Sequence, residues 1–231
     1  MEYCCYGKIR LSSLLLQRPG KCRGVFYFCY NSYMKYQYLI GVDEVGRGPI
    51  AGPVAVGALV FLTSKAPNLF KGVKESKQLS EQKREKWFSL IEQAREAGHV
   101  DFCVTFQSEK IIDSKGLSFA IKKALETSLL SLNIKAADSL VLLDGGLKAP
   151  APYMNQKTII KGDEKEKVIA LASICAKVLR DRKMNALAKK YSEYGFSAHK
   201  GYGTRAHYSA IEKFGLLAVH RRSFLKRMTL Q

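Results

Sequence analysis

The stretch "YLIGVDEVGRGPIAG", residues 38–52, constrains the fold more than any other part of this 231-residue chain. Its apolar start predicts a buried strand over residues 38–42. Two adjacent carboxylates, Asp43 and Glu44, follow this strand directly. Successive strand residues point to opposite faces of a sheet, so both carboxylates reach one site only where the strand ends or bulges. We expect Val45-Gly46 to supply that break, which predicts an acidic site at the end of a core strand.

A second predicted strand ends in the same way. In "SLVLLDGG" an apolar run leads into Asp144 and two glycines. If the two strands are neighbours in one sheet, Asp43 and Asp144 converge at a shared edge. Two buried anions a few ångströms apart repel each other strongly, and one takes up a proton unless a cation compensates them. Carboxylate oxygens are hard ligands that suit Mg²⁺ or Mn²⁺, so the pattern indicates a divalent metal site.

Asp163, in "IIKGDEKEK" just ahead of a long helical pattern, is a further candidate metal ligand. Its neighbours Glu164 and Glu166 are more typical of first-turn charges that favour the helix dipole. Simpler explanations stay open for each acid taken alone, because Asp144-Gly145 is typical of a turn and Asp163 fits a helix N-cap. Four acids at two strand ends and one helix start favour a catalytic site over unrelated turns.

The remaining pattern predicts a mixed α/β domain. The predicted elements are strands at 54–62, 99–107 and 139–144, helices between 80 and 98, at 117–132 and at 166–191, and a helical C-terminal part to about residue 214. Ser80 is a plausible N-cap of the first helix and Gly98 its stop. The apolar face of that helix is predicted to comprise Trp87, Leu90, Ile91 and Ala94.

The net charge of +18 is unevenly distributed. Residues 177–231 hold 13 Lys and Arg against three acids, while residues 41–176 hold 19 against 16. A basic chain end beside a nearly neutral centre indicates a polyanionic partner, most simply nucleic acid, although a solvated basic face would look the same. The longest apolar stretch, near residues 54–62, is too short to cross a bilayer, so no membrane partner is expected.

The six cysteines favour a reduced, cytoplasmic protein. Cys103 and Cys175 lie in apolar surroundings typical of core thiols. The other four, at positions 4, 5, 22 and 29, lack zinc-ligand spacing and have no histidine nearby. Residues 1–33 show neither helical nor strand periodicity. Our hypothesis is that they form a dispensable extension ahead of a translation start at Met34.

In order along the chain, these blocks resemble the signature motifs of ribonuclease HII, the type 2 branch of the ribonuclease H enzymes. The motifs are "GVDEVGRGPIAGPVAVGAL", "ESKQLS", "VLLDG", "KGD…IALASICAKVLRDR", "HKGYGTRAH" and "HRRSF", and they extend from about Tyr38 to Phe224. The "GRG" element separates this branch from ribonuclease HIII, which also carries an N-terminal platform domain. The chain departs from the usual family pattern at Glu75, at Leu171 and in lacking prolines before "HRR", but no acid is lost.

The resemblance implies a ribonuclease H-like fold, with a mixed sheet flanked by helices and a helical C-terminal part. It implies that the catalytic and metal-binding residues are Asp43, Glu44, Asp144 and Asp163, with Mg²⁺ or Mn²⁺ as cofactor. The implied reaction hydrolyses RNA in RNA–DNA hybrids and incises 5′ of ribonucleotides embedded in duplex DNA, leaving 3′-hydroxyl and 5′-phosphate ends. Such an enzyme serves ribonucleotide excision during DNA replication and repair.

We expect the chain to divide into an N-terminal extension (1–37, poorly ordered), a catalytic domain (38–190) and a basic substrate-binding part (191–231), and to act as a monomer. Substrate contacts are expected around Arg47, because the flanking glycines let the backbone approach nucleic acid and offer N–H donors to a ribose 2′-hydroxyl. The resemblance implies that Gly46, Arg47 and Gly48 read the RNA-to-DNA step, and that Tyr202 packs on the adjacent deoxyribose.

Other basic and aromatic residues have less specific signals. Without the resemblance, Tyr202 is typical of a core or turn aromatic and Arg47 of a surface charge. Four residues are expected either to contact phosphates or to form structural pairs: Lys77, Lys177, Arg180 and Arg222. Three histidines are expected to be structural or to contact the backbone: His199, His207 and His220.

Two other classes of protein share some of these features. A junction resolvase or transposase-type nuclease also gathers acids on a similar sheet, but it does not explain Gly46-Arg47-Gly48 together with Tyr202. A non-catalytic nucleic-acid-binding protein fits the basic C-terminus but not the acids, because uncompensated carboxylates repel phosphates. Metal-dependent cleavage of a duplex that carries one ribonucleotide separates all three.

Overall fold

A mixed sheet organises the described part of the chain, which in this computed structural model comprises Tyr33 and residues 36–225. The strands among these residues are β1 (Tyr38–Val45), β2 (Val54–Phe61), β3 (Val100–Gln107), β4 (Ser139–Asp144) and β5 (Gln156–Ile159). Their spatial order is β3-β2-β1-β4-β5. The first three strands are antiparallel neighbours, whereas β4 runs parallel to β1 and β5 parallel to β4. The predicted mixed α/β class is confirmed.

Helices flank both faces of this sheet. They are α1 (Ala66–Leu69), α2 (Glu81–Glu96), α3 (Glu109–Lys115), α4 (Leu117–Ser131), α5 (Gly162–Lys165), α6 (Lys167–Lys190), α7 (Phe196–His199) and α8 (Arg205–Phe214). Ser80 caps α2 as predicted, by accepting a hydrogen bond from the Lys83 N–H at 3.3 Å. The predicted apolar face of α2 is wrong at Leu90, which is 45% exposed, and the fully buried Phe88 takes its place.

Sequence reasoning missed α1, α3 and β5. For α3 the signals were present, since Ser108 occupies the N-cap position and Gly116 ends the helix with a φ of +85°. The strand β5 has four residues and is half-exposed, so it carries too little alternation to be recognised.

Strand alternation divides the core into two layers. Leu39 and Leu59 face one cluster with α2 and α6, while Ile40 and Val42 face the other with α4. The helix α6 lies directly on the sheet at Gly41, where an added Cβ would lie 2.3 Å from the Val168 carbonyl carbon. Glycine is therefore required there, and this close approach brings the N-terminal half of α6 to the end of β1.

The C-terminal part builds a third cluster around Met184, Tyr194 and Phe196, which also packs against Ile50 and Ala51 of the connection that follows β1. Thr204 caps α8 by accepting from the His207 N–H at 3.3 Å. This cluster joins the connection after β1 to the C-terminal part, and the two are separated by about 150 residues of sequence.

Near the amino end, Tyr33 and Tyr36 pack against the α2–α6 layer, and the Tyr33 hydroxyl donates to Glu166 Oε1 at 3.0 Å. The rest of residues 1–35, including the proposed start at Met34 and four of the cysteines, lies outside the described residues. Cys103 and Cys175 are buried and free, which confirms their prediction as core thiols. None of the described helices has the length and apolarity needed to cross a bilayer.

Candidate active site

The parallel pairing of β1 and β4 brings two of the predicted carboxylates together. The register ends at Val42 opposite Leu143, so Asp43 and Asp144 come next on neighbouring strands. Both follow the alternation that faces α6. Asp43 is only 5% exposed, and its Oδ1 accepts from the Glu44 N–H at 2.8 Å. The predicted convergence of the two strand ends is confirmed.

Glu44 lies within β1, not after its end as expected. The prediction that the strand ends at Val42 is wrong, because β1 continues to Val45 and stays paired with β2, with Glu44 opposite Val56. Asp43 and Glu44 therefore point to opposite faces of the sheet. On the β4 side, however, the ladder stops at Val42, so this edge of β1 is open from Asp43 onward.

One carboxylate oxygen of Glu44 lacks a hydrogen-bond partner among the described residues. Its Oε1 accepts from Arg47 Nη1 at 2.9 Å, and the side chain is 11% exposed. Its Oε2 is buried and has no hydrogen-bond partner. A buried carboxylate oxygen without a donor is costly, so Glu44 retains capacity for a further cationic partner.

Asp163 is brought to the same end of the sheet by α5. Lys161, with a left-handed φ of 55°, turns the chain into this short helix. The Gly162 N–H then donates to Asp144 Oδ1 at 2.6 Å, which ties α5 to the end of β4. Asp163 is 4% exposed, and its Oδ2 lies 3.4 Å from Lys77 Nζ.

The charges of these acids affect one another's pKa. Burial raises the pKa of Asp43 to about 8, opposed by a hydrogen bond from Ser173 and reinforced by the negative charges of Glu44, Asp144 and Asp163. Burial also raises the pKa of Glu44, where Arg47 opposes the shift and Asp144 adds to it. The site is short of positive charge, because the cations named here, Arg47 and Lys77, lie at its exposed rim.

As arranged here, the acids are neighbours without forming a ligand cage. Within the described residues, no three His, Cys, Asp or Glu side chains are close enough together to hold a metal ion. The donor set nevertheless fits a hard divalent cation, because every candidate ligand is a carboxylate and one buried oxygen of Glu44 has no partner. The pKa of Asp43 is raised first by burial and then by the neighbouring negative charges, and a bound cation would offset both effects.

The glycine-flanked arginine lies directly beside the acids and is exposed. Gly46 has a φ of +95°, and an added Cβ would lie 2.3 Å from Arg180 Nε. Gly48 lies against Tyr202, whose Cε1 would be 3.5 Å from an added Cβ. The Tyr202 ring is 45% exposed, and the Arg47 side chain is 57% exposed. The structure therefore brings the predicted sugar-reading elements into one surface.

Hydrogen bonds fix this surface from below. The N–H groups of Ile50 and Ala51 donate to the Gly201 carbonyl at 2.9 and 3.2 Å. Three histidines then support the Tyr202 backbone, as expected for structural residues, and the first is His199, whose carbonyl accepts from the Tyr202 N–H at 2.9 Å. The Leu217 N–H donates to His220 Nδ1, so the His220 proton is on Nε2 and is donated to His207 Nε2 at 3.1 Å. His207 in turn donates from Nδ1 to the Tyr202 carbonyl at 2.9 Å.

The other predicted basic residues occupy different environments. Lys77 lies at the acids, and their charges raise its pKa against the opposing effect of partial burial. Lys177 pairs with Asp181 at 2.8 Å within α6. Arg180 is fully buried and donates to the carbonyls of Pro53 and Lys200. Arg222 is exposed, and its backbone N–H donates to Asp113 Oδ2 at 2.9 Å.

Two residues of this region were missed by sequence reasoning. Ser173 in "ALASICA" is a polar residue inside an otherwise apolar helical run, which is a usable signal for a buried hydrogen bond. It contacts both Asp43 and the Ser76 hydroxyl. Arg221 is fully buried beneath the glycine-flanked arginine, and the sequence "HRR" gives no indication of which arginine points inward.

A mixed sheet of this order, with acids at the shared end of β1 and β4, defines the ribonuclease H-like class of nucleases. The family model for ribonuclease HII matches residues 40–227. Ribonuclease HII of Ruminiclostridium cellulolyticum is 44% identical over 193 residues, covering 83% of this chain and 71% of that protein. The same enzyme of Caldicellulosiruptor bescii is 41% identical, covering 84% of this chain and 89% of that protein. The chain belongs to the ribonuclease HII family.

Solved structures agree with this assignment. The crystal structure of ribonuclease H2 from Pyrococcus horikoshii is 27% identical, with a TM-score of 0.65 over 84% of this chain and 100% of that one. A ribonuclease HIII, described as Bst-RNase HIII in complex with Mn²⁺, matches with a TM-score of 0.60 at 18% identity, over 87% of this chain and 73% of that one. The second likeness concerns the fold alone.

Proposed function

We propose that this protein is a metal-dependent endoribonuclease that hydrolyses RNA in RNA–DNA hybrids and incises 5′ of ribonucleotides embedded in duplex DNA. The observation that carries the proposal is that Asp43 and Asp144 come next on neighbouring strands at the shared end of β1 and β4, with α5 and its Asp163 tied to Asp144 through the Gly162 N–H. The exposed surface of Gly46, Arg47, Gly48 and Tyr202 lies beside them. Family membership supports the substrate class, and the products would carry 3′-hydroxyl and 5′-phosphate ends.

The acids Asp43, Glu44, Asp144 and Asp163 would hold Mg²⁺ or Mn²⁺. A bound divalent cation supplies an activated water and neutralises the charge that develops on the phosphate. The chain itself contributes burial of Asp43 and an unpartnered Glu44 oxygen, both of which favour cation capture. The related ribonuclease HIII has been crystallised in complex with Mn²⁺, which supports this choice of cofactor class.

Substrate selection would come from the exposed surface beside the acids. The backbone N–H groups around Arg47 are small donors suited to a ribose 2′-hydroxyl, the group that distinguishes RNA from DNA. The Tyr202 ring would pack against the neighbouring deoxyribose. Lys77 and Arg47 would attract the phosphates on either side of the acids, since each combines an exposed side chain with a position at the rim.

A groove of about 650 Å³ continues away from Arg47 and extends the surface that a duplex could contact. Lys122 and Lys148 lie in its wall together with Arg47, and no carboxylate is among its lining residues. A duplex bound at the acids would place phosphates beside these cations, which favours binding through counterion release.

A duplex with one central ribonucleotide tests the proposal. We expect incision on the 5′ side of the ribonucleotide with Mg²⁺ or Mn²⁺ and none with chelator, and a DNA polymerase should extend the upstream product because its end is a 3′-hydroxyl. An all-deoxy duplex should stay intact. Binding without cleavage would instead identify a binding protein, and cleavage of a four-way junction but not of this duplex would identify a resolvase.

A further inference from the structure

Arg221 is a buried charged residue whose side chain donates hydrogen bonds to the backbone around Arg47. Its side chain is fully buried, yet no carboxylate accepts from it among the hydrogen bonds of the described residues. Its guanidinium donates to three carbonyls of one loop: Nη2 to Gly46 at 2.8 Å, Nη1 to Arg47 at 3.1 Å and Nε to Gly52 at 2.9 Å. The planar fork of a guanidinium matches such a set of fixed acceptors, which an ammonium does not.

These bonds determine where the loop's N–H groups point. A trans peptide holds its carbonyl and the following N–H in opposite directions. Because the carbonyls of Gly46 and Arg47 point inward to Arg221, the N–H groups of Arg47 and Gly48 point outward. Within the described residues, no protein acceptor receives either of these N–H groups. Gly48 itself lies against the exposed Tyr202 ring, whose Cε1 would be 3.5 Å from an added Cβ.

Burying this charge is costly, which makes a purely space-filling role a poor explanation. Burial, and to a lesser extent the neighbouring charge of Arg180, lower the pKa of Arg221 to about 10. A packed apolar side chain would avoid that cost. Arg221 also anchors itself, since its backbone N–H donates to the Ile50 carbonyl at 2.8 Å. Both the side chain and the backbone of Arg221 therefore donate hydrogen bonds to the loop that it supports.

We propose that Arg221 is the positioning residue of this loop, which aims the N–H groups of Arg47 and Gly48 at the ribose 2′-hydroxyl of the substrate. The inference rests on the proposed function, because it presupposes that a ribonucleotide is read here. Arg221 makes no contact with Asp43, Asp144 or Asp163 in the hydrogen bonds of the described residues. Its loss should therefore impair discrimination between ribose and deoxyribose, and should leave nonspecific duplex binding intact.

Binding measurements isolate this role from catalysis. In an Asp43→Asn background, which prevents cleavage, the Kd is measured for a duplex with one ribonucleotide and for the same all-deoxy duplex, with Mg²⁺ present. The ratio of the two values is the readout. We expect Arg221→Met to reduce the preference for the ribonucleotide by about five- to tenfold, as for one or two misdirected hydrogen bonds. Arg221→Lys, which keeps the charge but not the fork, should retain an intermediate preference.

A destabilised control separates positioning from general damage. Leu129→Ala removes a fully buried side chain of α4, on the face of the sheet away from α6, and should lower Tm without changing the ratio. If Arg221→Met does not fold, Arg221→Lys alone carries the comparison. A folded Arg221 variant that keeps the parental ratio within about twofold would overturn the inference. If the parent itself shows no preference for the ribonucleotide, the proposed reading of ribose fails, and this inference fails with it.

Discussion

The two halves of the candidate site are built by opposite means. The acidic half, at the end of β1 and β4, is positioned by strand register and leaves one carboxylate oxygen without a partner. The reading half, around Gly48 and Tyr202, is held by buried donors such as Arg221 and His207. Unsatisfied oxygens suit a site that must capture a cation, whereas satisfied backbone groups suit a surface that must hold its shape against a sugar.

The largest effect should come from the acidic half. Asp43→Asn should reduce cleavage by roughly 10³-fold or more, because the lost carboxylate removes a cation ligand from a site already short of positive charge. Duplex binding should be preserved or slightly strengthened, since a charge that repels phosphate is gone. Asp101→Asn on the distant strand β3 is the matched control and should retain activity in the same assay. Activity of Asp43→Asn within a few-fold of the parent would count against a metal role.

Glycine substitutions compare the two halves directly. Gly46→Ala should destabilise the protein by about 3 kcal/mol in urea unfolding, because it adds left-handed strain and overlaps the buried Arg180 side chain. Gly145 follows Asp144, has a φ of +58° and has nothing within 4 Å of an added Cβ. Gly145→Ala should therefore cost only the strain, about 1 kcal/mol. Equal losses in the two variants would show that the reading half is no more tightly packed.

Acidification should weaken the reading half first. Burial lowers the pKa of His207 to about 4, so the folded protein binds this proton only near pH 4. The unfolded chain binds it below about pH 6.5, so stability is complete above pH 6.5 and falls as the pH drops toward 4. The expected loss by pH 4 is about 3 kcal/mol.

The same histidine offers an internal control for that pH dependence. His207→Gln removes the titrating group, while its amide retains a donor and an acceptor. Comparing the unfolding free energies of parent and variant from pH 7.5 to 4.5 removes the contribution of the carboxylates, which titrate in both proteins. If the two curves run parallel across that range, His207 is not responsible for the loss.

Sequence reasoning succeeded where the relevant contacts are set by local pattern. The acid–glycine ends of β1 and β4 were recognisable because apolar runs predict strands and parallel strands align their ends. It failed on the length of β1, because acids after an apolar run look like a strand end although the ladder to β2 continues through Val45.

Long-range contacts explain the other failures. Arg221 and Arg222 are adjacent and chemically identical, yet the first is fully buried and the second is exposed. What distinguishes them is a loop about 170 residues earlier, because within the described part of the chain its carbonyls accept hydrogen bonds from the Arg221 side chain and not from that of Arg222. No periodicity in "HRRSF" carries that information, because it arises only when the C-terminal part packs on the connection after β1.

The smallest expected effect tests whether the reading half is selective at all. Tyr202→Ala should reduce incision at an isolated ribonucleotide by about tenfold and cleavage of a long hybrid by less. The reason is that an isolated ribonucleotide has a neighbouring deoxyribose for the ring to pack on, whereas most positions of a long RNA strand do not. The ring is 45% exposed, so the change in Tm should be small. Tyr208→Ala, in the neighbouring helix α8, controls for the loss of an aromatic that contacts Gly203. Equal losses of Tyr202→Ala on both substrates would mean that the aromatic supports the loop without distinguishing sugars, and selectivity would then rest on the backbone that Arg221 holds.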